Sequence, residues 1–398
     1  MKEYLGLIII SVSLRLAAFA IDIPFIWDVQ TFQIWAIMLF ESGLSYFYYV
    51  DAFTDYPPMY MYVLWIIGAV RYAFDLEILS RNFNLLTFMP AIISDIITVL
   101  LIYRICRSFW IALAYSANPA IILNSSVWGQ VDAIHTLLLF VAIYAVYKKQ
   151  TLPVYLLYGV AVLTKPQSLI VAPIFLYSAF HYWKERDYSF DAAFTMIRYA
   201  IYTFSFMALL SLPFGLRLVI GQYVDTVGSR PFASINAYNF YALTGGNWHS
   251  ITPFYALVSI AAIACVTCMV FLILYRCWNR AAIFYSAALL YIVTFVFSVR
   301  MNERYLFPAL LFLLVSAVLS LSQNKLVTSL LYAVFSATFF INCLDVLLRA
   351  HNMQMIIPPE TMAFRPIEEF IALISFINVV LAAYSLKIGR DIQRWTEF

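Results

Sequence analysis

The sequence predicts an all-α, polytopic transmembrane helical bundle, and three observations predict it. Of 398 residues, 64% are hydrophobic and only 11% charged, against roughly 45–50% and 25% in soluble domains. Apolar segments of about 17 to 25 residues, the length that crosses a bilayer as a helix, recur from end to end. No strand-like alternation dominates, which leaves the helix as the form that satisfies its own backbone groups in lipid.

The first segment, 4–24, has the small-x-small ending of a signal peptide at Ala18-Phe19-Ala20, but Arg15 interrupts its apolar core, so an uncleaved first helix is expected. Further spans are expected at 88–105, 109–124, 131–147, 152–164 with 168–182 as a short pair, 193–214, 251–275, 281–298, 305–322, 326–347 and 367–386. That makes about twelve. The segment 57–74, "PPMYMYVLWIIGAVRYAF", is apolar but opens on two prolines and carries Arg71. If it does not cross, most of the 24 lysines and arginines fall on the cytoplasmic side, as the positive-inside bias requires; if it crosses, the bias reverses. It is therefore expected to be interfacial or re-entrant, with both termini cytoplasmic.

A large first extracytoplasmic loop, 25–87, follows from that topology. Its first piece, 28–42, has Phe32, Trp35, Met38 and Leu39 at helical spacing and is expected to lie in the interface with Trp35 as an anchor. In "TDYPP" the prolines set a second helix start, and Asp55 is placed to cap it. The whole chain, 1–398, reads as one integral-membrane domain, a motif-bearing module over 1–322 followed by C-terminal helices over 323–398.

The polar residues hardest to explain by solubility gather on the outer side. They are Asp28, Asp51 and Asp55; Gln130 and Asp132 in "WGQVD"; Lys165 and Gln167 in "LTKPQ"; Asn236 and Asn239 in "NAYNFYAL"; and Arg300, Asn302, Glu303 and Arg304 in "VRMNERYLFP". Plainer readings stand beside these. Asp22 is a helix-edge charge, Asp132 and Gln130 equally suit caps of the helix at 131, and Asp55 a simple cap. Asp95 reads as an internal helix partner and His135 as a satisfied core residue. Lys165 lies between two segments too short to cross fully, where a charge is costly and usually paired or functional. One of Arg300 and Arg304 can pair with Glu303, leaving a guanidinium whose planar fork suits phosphate oxygens. Cys265 and Cys268 share a helix but lack the further ligands of a zinc site. The net charge of +3 and the lack of a basic block interleaved with aromatics argue against nucleic acid and leave anionic lipid as a partner.

Six stretches, "WDVQTFQIWA", "DYPPMYMYVLW", "WGQVDAIHTLL", "LTKPQSLIVAP", "NAYNFYAL" and "MNERYLFPALLF", stand in this order between residue 27 and about 312. Together they resemble the polytopic GT-C glycosyltransferases that use a lipid-phosphate sugar. The nearer likeness is to bacterial mannosyltransferases related to the second mannosyltransferase of glycosylphosphatidylinositol assembly, the more distant to the N-glycan glucosyltransferases. The resemblance implies that the aspartate opening the first outer loop, here Asp28, is the catalytic base, and that the sugar, commonly mannose in that family, passes from a polyprenyl phosphate, which is the leaving group, to a glycolipid, glycan or protein acceptor. Asp28 offers a carboxylate for the acceptor's proton, and Lys165, Arg300 and Arg304 offer cations for the departing phosphate. Asp55 is a candidate for orienting sugar hydroxyls; Gln130, Asp132, Gln167, Asn239 and Glu303 are candidate substrate contacts. The absence of a D-x-D triplet, and an active face where nucleotide sugars are lacking, favour a lipid donor with no obligate metal. The site would face away from the cytoplasm, across the plasma membrane of a prokaryote or the endoplasmic reticulum of a eukaryote.

Rival readings are a polysaccharide polymerase or ligase, which would carry its large outer loop late in the chain, and a lipid-linked-sugar flippase or transporter, which would carry an internal repeat or paired broken helices.

Overall fold

The computed structural model of the chain describes residues 2–49, 54–148, 151–228, 231–320, 322–354 and 368–390. They are predominantly helical. In chain order come α1 (Lys2–Phe19), α2 (Ile26–Ser42), the short α3 (Leu44–Phe47), α4 (Pro58–Ala73), α5 (Arg81–Cys106), α6 (Phe109–Ser116) and α7 (Pro119–Ile122), which widens into a π turn over Leu123–Val127. Then follow α8 (Asp132–Lys148), α9 (Leu152–Thr164), a 3₁₀ turn over Pro166–Val171, α10 (Ala172–Lys184), α11 (Phe190–Ser211) and α12 (Leu216–Gly228). Strand β1 (Ser234–Ile235), α13 (Phe240–Leu243), α14 (Pro253–Arg276), α15 (Arg280–Phe297), β2 (Met301–Asn302), α16 (Phe307–Leu319), α17 (Ser322–Gln354) and α18 (Glu368–Arg390) complete the described chain.

Six helices among the described residues are long and apolar enough to cross a membrane: Arg81–Cys106, Phe190–Phe214, Pro253–Arg276, Arg280–Phe297, Lys325–His351 and Glu369–Arg390. These meet six of the expected spans. The expected span 109–124 is broken into α6, α7 and the π turn. The break lies at Asn118-Pro119, where Asn118 Oδ1 accepts from the Ala120 amide (2.9 Å) while its Nδ2 donates to the Tyr332 hydroxyl (2.7 Å) and to Ser336 Oγ (2.8 Å). The stretch 305–322 yields only the 13 residues of α16, since a 3₁₀ turn over Glu303–Leu306 occupies its start.

Helix α15 is the axis of the bundle: 89% of its apolar window is buried, against 6% for the span Phe190–Phe214. Between them, these two helices mark the centre and the rim. The arginine that interrupts α1 finds its partner in α5: Arg15 Nη2 lies 3.1 Å from Asp95 Oδ2, with both side chains buried. Its Nη1 donates to the Ser11 and Ser116 carbonyls, each at 3.3 Å. Asp95 is thus an internal helix partner, as the sequence predicts.

Helices α2 and α4 pack closely on one another, and their contact explains why α2 does not rest on a membrane surface through Trp35. The stripe Val29, Phe32, Trp35, Ala36 and Leu39 faces inward, and Trp35 is 3% exposed. The expectation that it anchors an interface is therefore corrected: its helical period is real, but the apolar face is covered by protein. Trp27, on the opposite side of the first turn, is 64% exposed. At the crossing, a Cβ on Gly68 would stand 2.1 Å from the Ala36 carbonyl oxygen, so the two backbones touch. Helix α4 starts at the prolines, with Pro57 in the N-cap position and no side-chain cap there, so Asp55 does not serve as the N-cap residue. Arg71 ends α4 by pairing with Glu41 at the end of α2 (3.7 Å) and donating to the Leu76 carbonyl (3.0 Å).

Candidate functional site

Asp28 stands in the first turn of α2 with its side chain 25% exposed. Three donors meet its Oδ2: Gln130 Nε2 at 2.6 Å, Trp128 Nε1 at 2.9 Å and, as an ion pair, Arg304 Nη1 at 3.7 Å. Among the described residues none donates to Oδ1. The carboxylate is therefore oriented through one oxygen.

The "WGQVD" loop owes this aim to its backbone. The π turn closes with the Trp128 amide on the Leu123 carbonyl (3.0 Å), and the Gln130 amide returns to the Asn124 carbonyl (3.0 Å). Single π turns of this kind recur at functional sites because they re-aim side chains without ending the helix. Between the two donors sits Gly129 at φ +74°, where an added Cβ would lie 2.2 Å from the Phe88 ring. Phe25 stacks on Trp128 at 5.0 Å and covers its outer face. Gly129→Ala is expected to cost about 1–3 kcal/mol through strain and overpacking and to turn both donors off Asp28. Thermal unfolding of the purified variant checks the first effect, and a structure of the variant checks the second.

Asp132 opens α8 one turn further on and is not a bare cap. Its Oδ1 receives Lys165 Nζ at 2.5 Å and lies 3.6 Å from His135 Nε2, while Oδ2 receives Asn124 Nδ2 at 3.4 Å. Lys165 reaches it because Pro166 ends α9 and holds the preceding residue extended, at φ −154°. The pair is buried, with the ammonium 5.9 Å from the Tyr56 ring centre and 5.5 Å from that of Tyr305. His135 is satisfied at one nitrogen, Nδ1, by Ser168 Oγ (3.3 Å).

Arg304 lies in the 3₁₀ turn after β2, which pairs in parallel with β1. Its Nη1 also bonds Glu303 Oε1 at 2.8 Å, and its guanidinium carbon lies 5.7 Å from the Trp128 ring centre. Arg304 is therefore shared between two carboxylates and is not a spare cation. Burial pushes the Glu303 carboxyl above its usual range, and the Arg304 guanidinium opposes that rise. Burial likewise holds the Tyr56 phenol far above its ordinary value against the pull of Arg304, so it stays a neutral hydroxyl.

The remaining candidates divide. Asn239 caps α13, accepting from the Tyr241 and Ala242 amides (3.1 Å each) and donating to the Phe295 carbonyl (3.2 Å), so its role is to shape the loop beside β1. Asn236 Oδ1 accepts from Trp248 Nε1 (2.9 Å) and the Asn236 backbone amide donates to Asn247 Oδ1 (2.8 Å), which makes it a loop residue too. Arg300 adopts φ +65° and its amide donates to the Ala233 carbonyl (3.1 Å) beside the strand pair. Asp55 borders a cavity of about 100 Å³ with Tyr56, Pro57, Pro166 and Tyr223. Gln167 uses its carbonyl to receive the Tyr291 hydroxyl (3.1 Å). Asp51 lies outside the described residues.

Sequence reasoning missed Trp128, Tyr56 and Tyr305, each an aromatic inside a motif that was weighed only for its charges. Around the charges, Gln130 Oε1, Asn124 Oδ1, Asn302 Oδ1, Gln167 Oε1 and Arg304 Nε are buried without a hydrogen-bond partner among the described residues. Folded proteins leave few such atoms without a partner. Among the described residues no three His, Cys, Asp or Glu side chains gather closely enough to hold a metal. No family model matches the chain, and no curated protein matches it significantly.

Proposed function

We propose that the protein is an inverting glycosyltransferase of GT-C type that moves a sugar, mannose by the family resemblance, from a polyprenyl phosphate to an acceptor hydroxyl, with Asp28 as general base. The observation that carries the reading is the Asp28 carboxylate, partly open and aimed by Trp128 and Gln130, with Arg304 beside it. In the reaction the acceptor oxygen bonds to the anomeric carbon as the bond from that carbon to the phosphate oxygen breaks. Asp28 takes the hydroxyl proton, and polyprenyl phosphate leaves as an anion that needs no strong acid. Attack opposite the leaving group inverts the anomeric centre.

Arg304 is the first choice for the phosphate. Its Nε has no hydrogen-bond partner among the described residues, and a phosphate can replace the Glu303 contact, whose carboxylate is weakened by burial. Lys165 supports the same field from behind, held by Asp132. The reading includes an orientation: about twelve spans counting the shorter helices, both termini cytoplasmic, and the α2–α4 pair on the extracytoplasmic side. Incubating purified protein with a panel of polyprenyl-phosphate sugars and analysing products by mass spectrometry tests it. A sugar-bearing acceptor and free polyprenyl phosphate are expected with one donor; hydrolysis or no turnover across the panel would end the proposal.

A further inference from the structure

We propose that the groove between the C-terminal ends of α14 and α18 binds an anionic phospholipid, on the opposite face of the bundle from Asp28. The groove encloses about 430 Å³. Cys265, Met269 and Leu272 of α14 line its length, and Arg276, Lys387 and Arg390 stand at its end. Among the described residues that line the groove none is a carboxylate. The two halves match the two halves of a lipid, an apolar channel for acyl carbons and a cationic mouth for a phosphodiester. Basic pockets between transmembrane helices hold anionic headgroups for the same reason. A zwitterionic lipid would place its own ammonium among the three cations.

The groove is built into the helix packing. Gly389 lets α18 lie against α14, since a Cβ there would come 2.9 Å from Met269 Cε and 3.2 Å from Ile273 Cδ1. Helix α15 fixes the distance to the candidate catalytic site. Its first residue, Arg280, follows α14 after a three-residue turn beside the cationic mouth, and its far end leads into the turn that carries Arg304. Eighteen residues rising about 1.5 Å each separate the two ends by roughly 27 Å, close to the thickness of a bilayer's hydrocarbon core. The proposed lipid therefore sits in the other leaflet, and its binding does not depend on glycosyl transfer.

The test is lipid retention by the full chain. Protein reconstituted in vesicles of equal palmitoyl-oleoyl phosphatidylglycerol and phosphatidylcholine is extracted and its bound lipids are counted by native mass spectrometry. About a tenfold enrichment of phosphatidylglycerol is expected. Arg276→Gln/Lys387→Gln/Arg390→Gln should bring the ratio to near one. Leu272→Trp fills the groove but keeps every cation, and it too should lose the enrichment. All four positions are exposed, so these variants should fold, and monodisperse elution checks that they do. Equal retention of both lipids by the wild-type chain would overturn the proposal. Enrichment persisting in Leu272→Trp would also overturn it, because the basic residues would then be attracting anionic lipid without a bound site.

Discussion

Asp28→Asn lowers sugar transfer by roughly 10²- to 10⁴-fold, the contribution of a positioned base, while leaving the chain folded. The amide keeps an acceptor oxygen where Oδ2 receives Trp128 and Gln130, so the aim of the first turn of α2 survives. What is lost is the ability to take a proton. Rates of product formation from the accepted polyprenyl-phosphate sugar, compared at equal amounts of monodisperse protein, provide the measurement. A variant that transfers at near wild-type rate would remove Asp28 from the chemistry and leave it as a ligand of Trp128.

Lys165→Met destabilises the protein by about 3–5 kcal/mol, because it strands the Asp132 carboxylate without a cation in a buried place. Asn124 at 3.4 Å and His135 at 3.6 Å are too distant to replace a 2.5 Å ion pair. Lys165→Met/Asp132→Leu recovers most of that loss, since exchanging a whole buried pair for apolar groups is close to neutral. Unfolding of the single and double variants in detergent measures both. Donor binding by the double variant separates two roles: affinity near wild type means Lys165 serves the fold through Asp132, and a lost affinity means it also serves the phosphate. A single variant as stable as wild type would contradict the pairing itself.

Helix content and the convergence of the polar motifs were legible in the sequence because rare charges in an apolar chain are informative. Arg15 and Asp95 are two such charges, of opposite sign, and the structure joins them. The polar motifs also converge: Asp28, Gln130 and Arg304 meet at one carboxylate oxygen, with Lys165 and Asp132 paired alongside. Which partner each would choose was not legible. Lys165 and Asp132 are separated by 33 residues, and nothing in either motif specifies the other. Trp35 was misread because periodicity reports that a helix has an apolar face without reporting what covers it; Gly68 on α4 held that answer. Asn239 looked like a ligand because a cap and a binding group use the same side-chain oxygen. Six of the twelve expected spans are helices of membrane length among the described residues, and at 109–124 the apolar pattern continues through Asn118-Pro119, where the helix itself stops.

The Arg15–Asp95 pair bears on how the chain is made. Eighty residues separate the two charges, so when α1 leaves the ribosome its counter-ion has not yet been synthesised. Until α5 is made, the arginine has no buried counter-ion, and the contact between α1 and α5 closes only when the aspartate comes alongside. Biogenesis is then ordered by charge: α2 and α4, and with them Asp28, emerge between the two halves of the pair and are drawn into register as it closes.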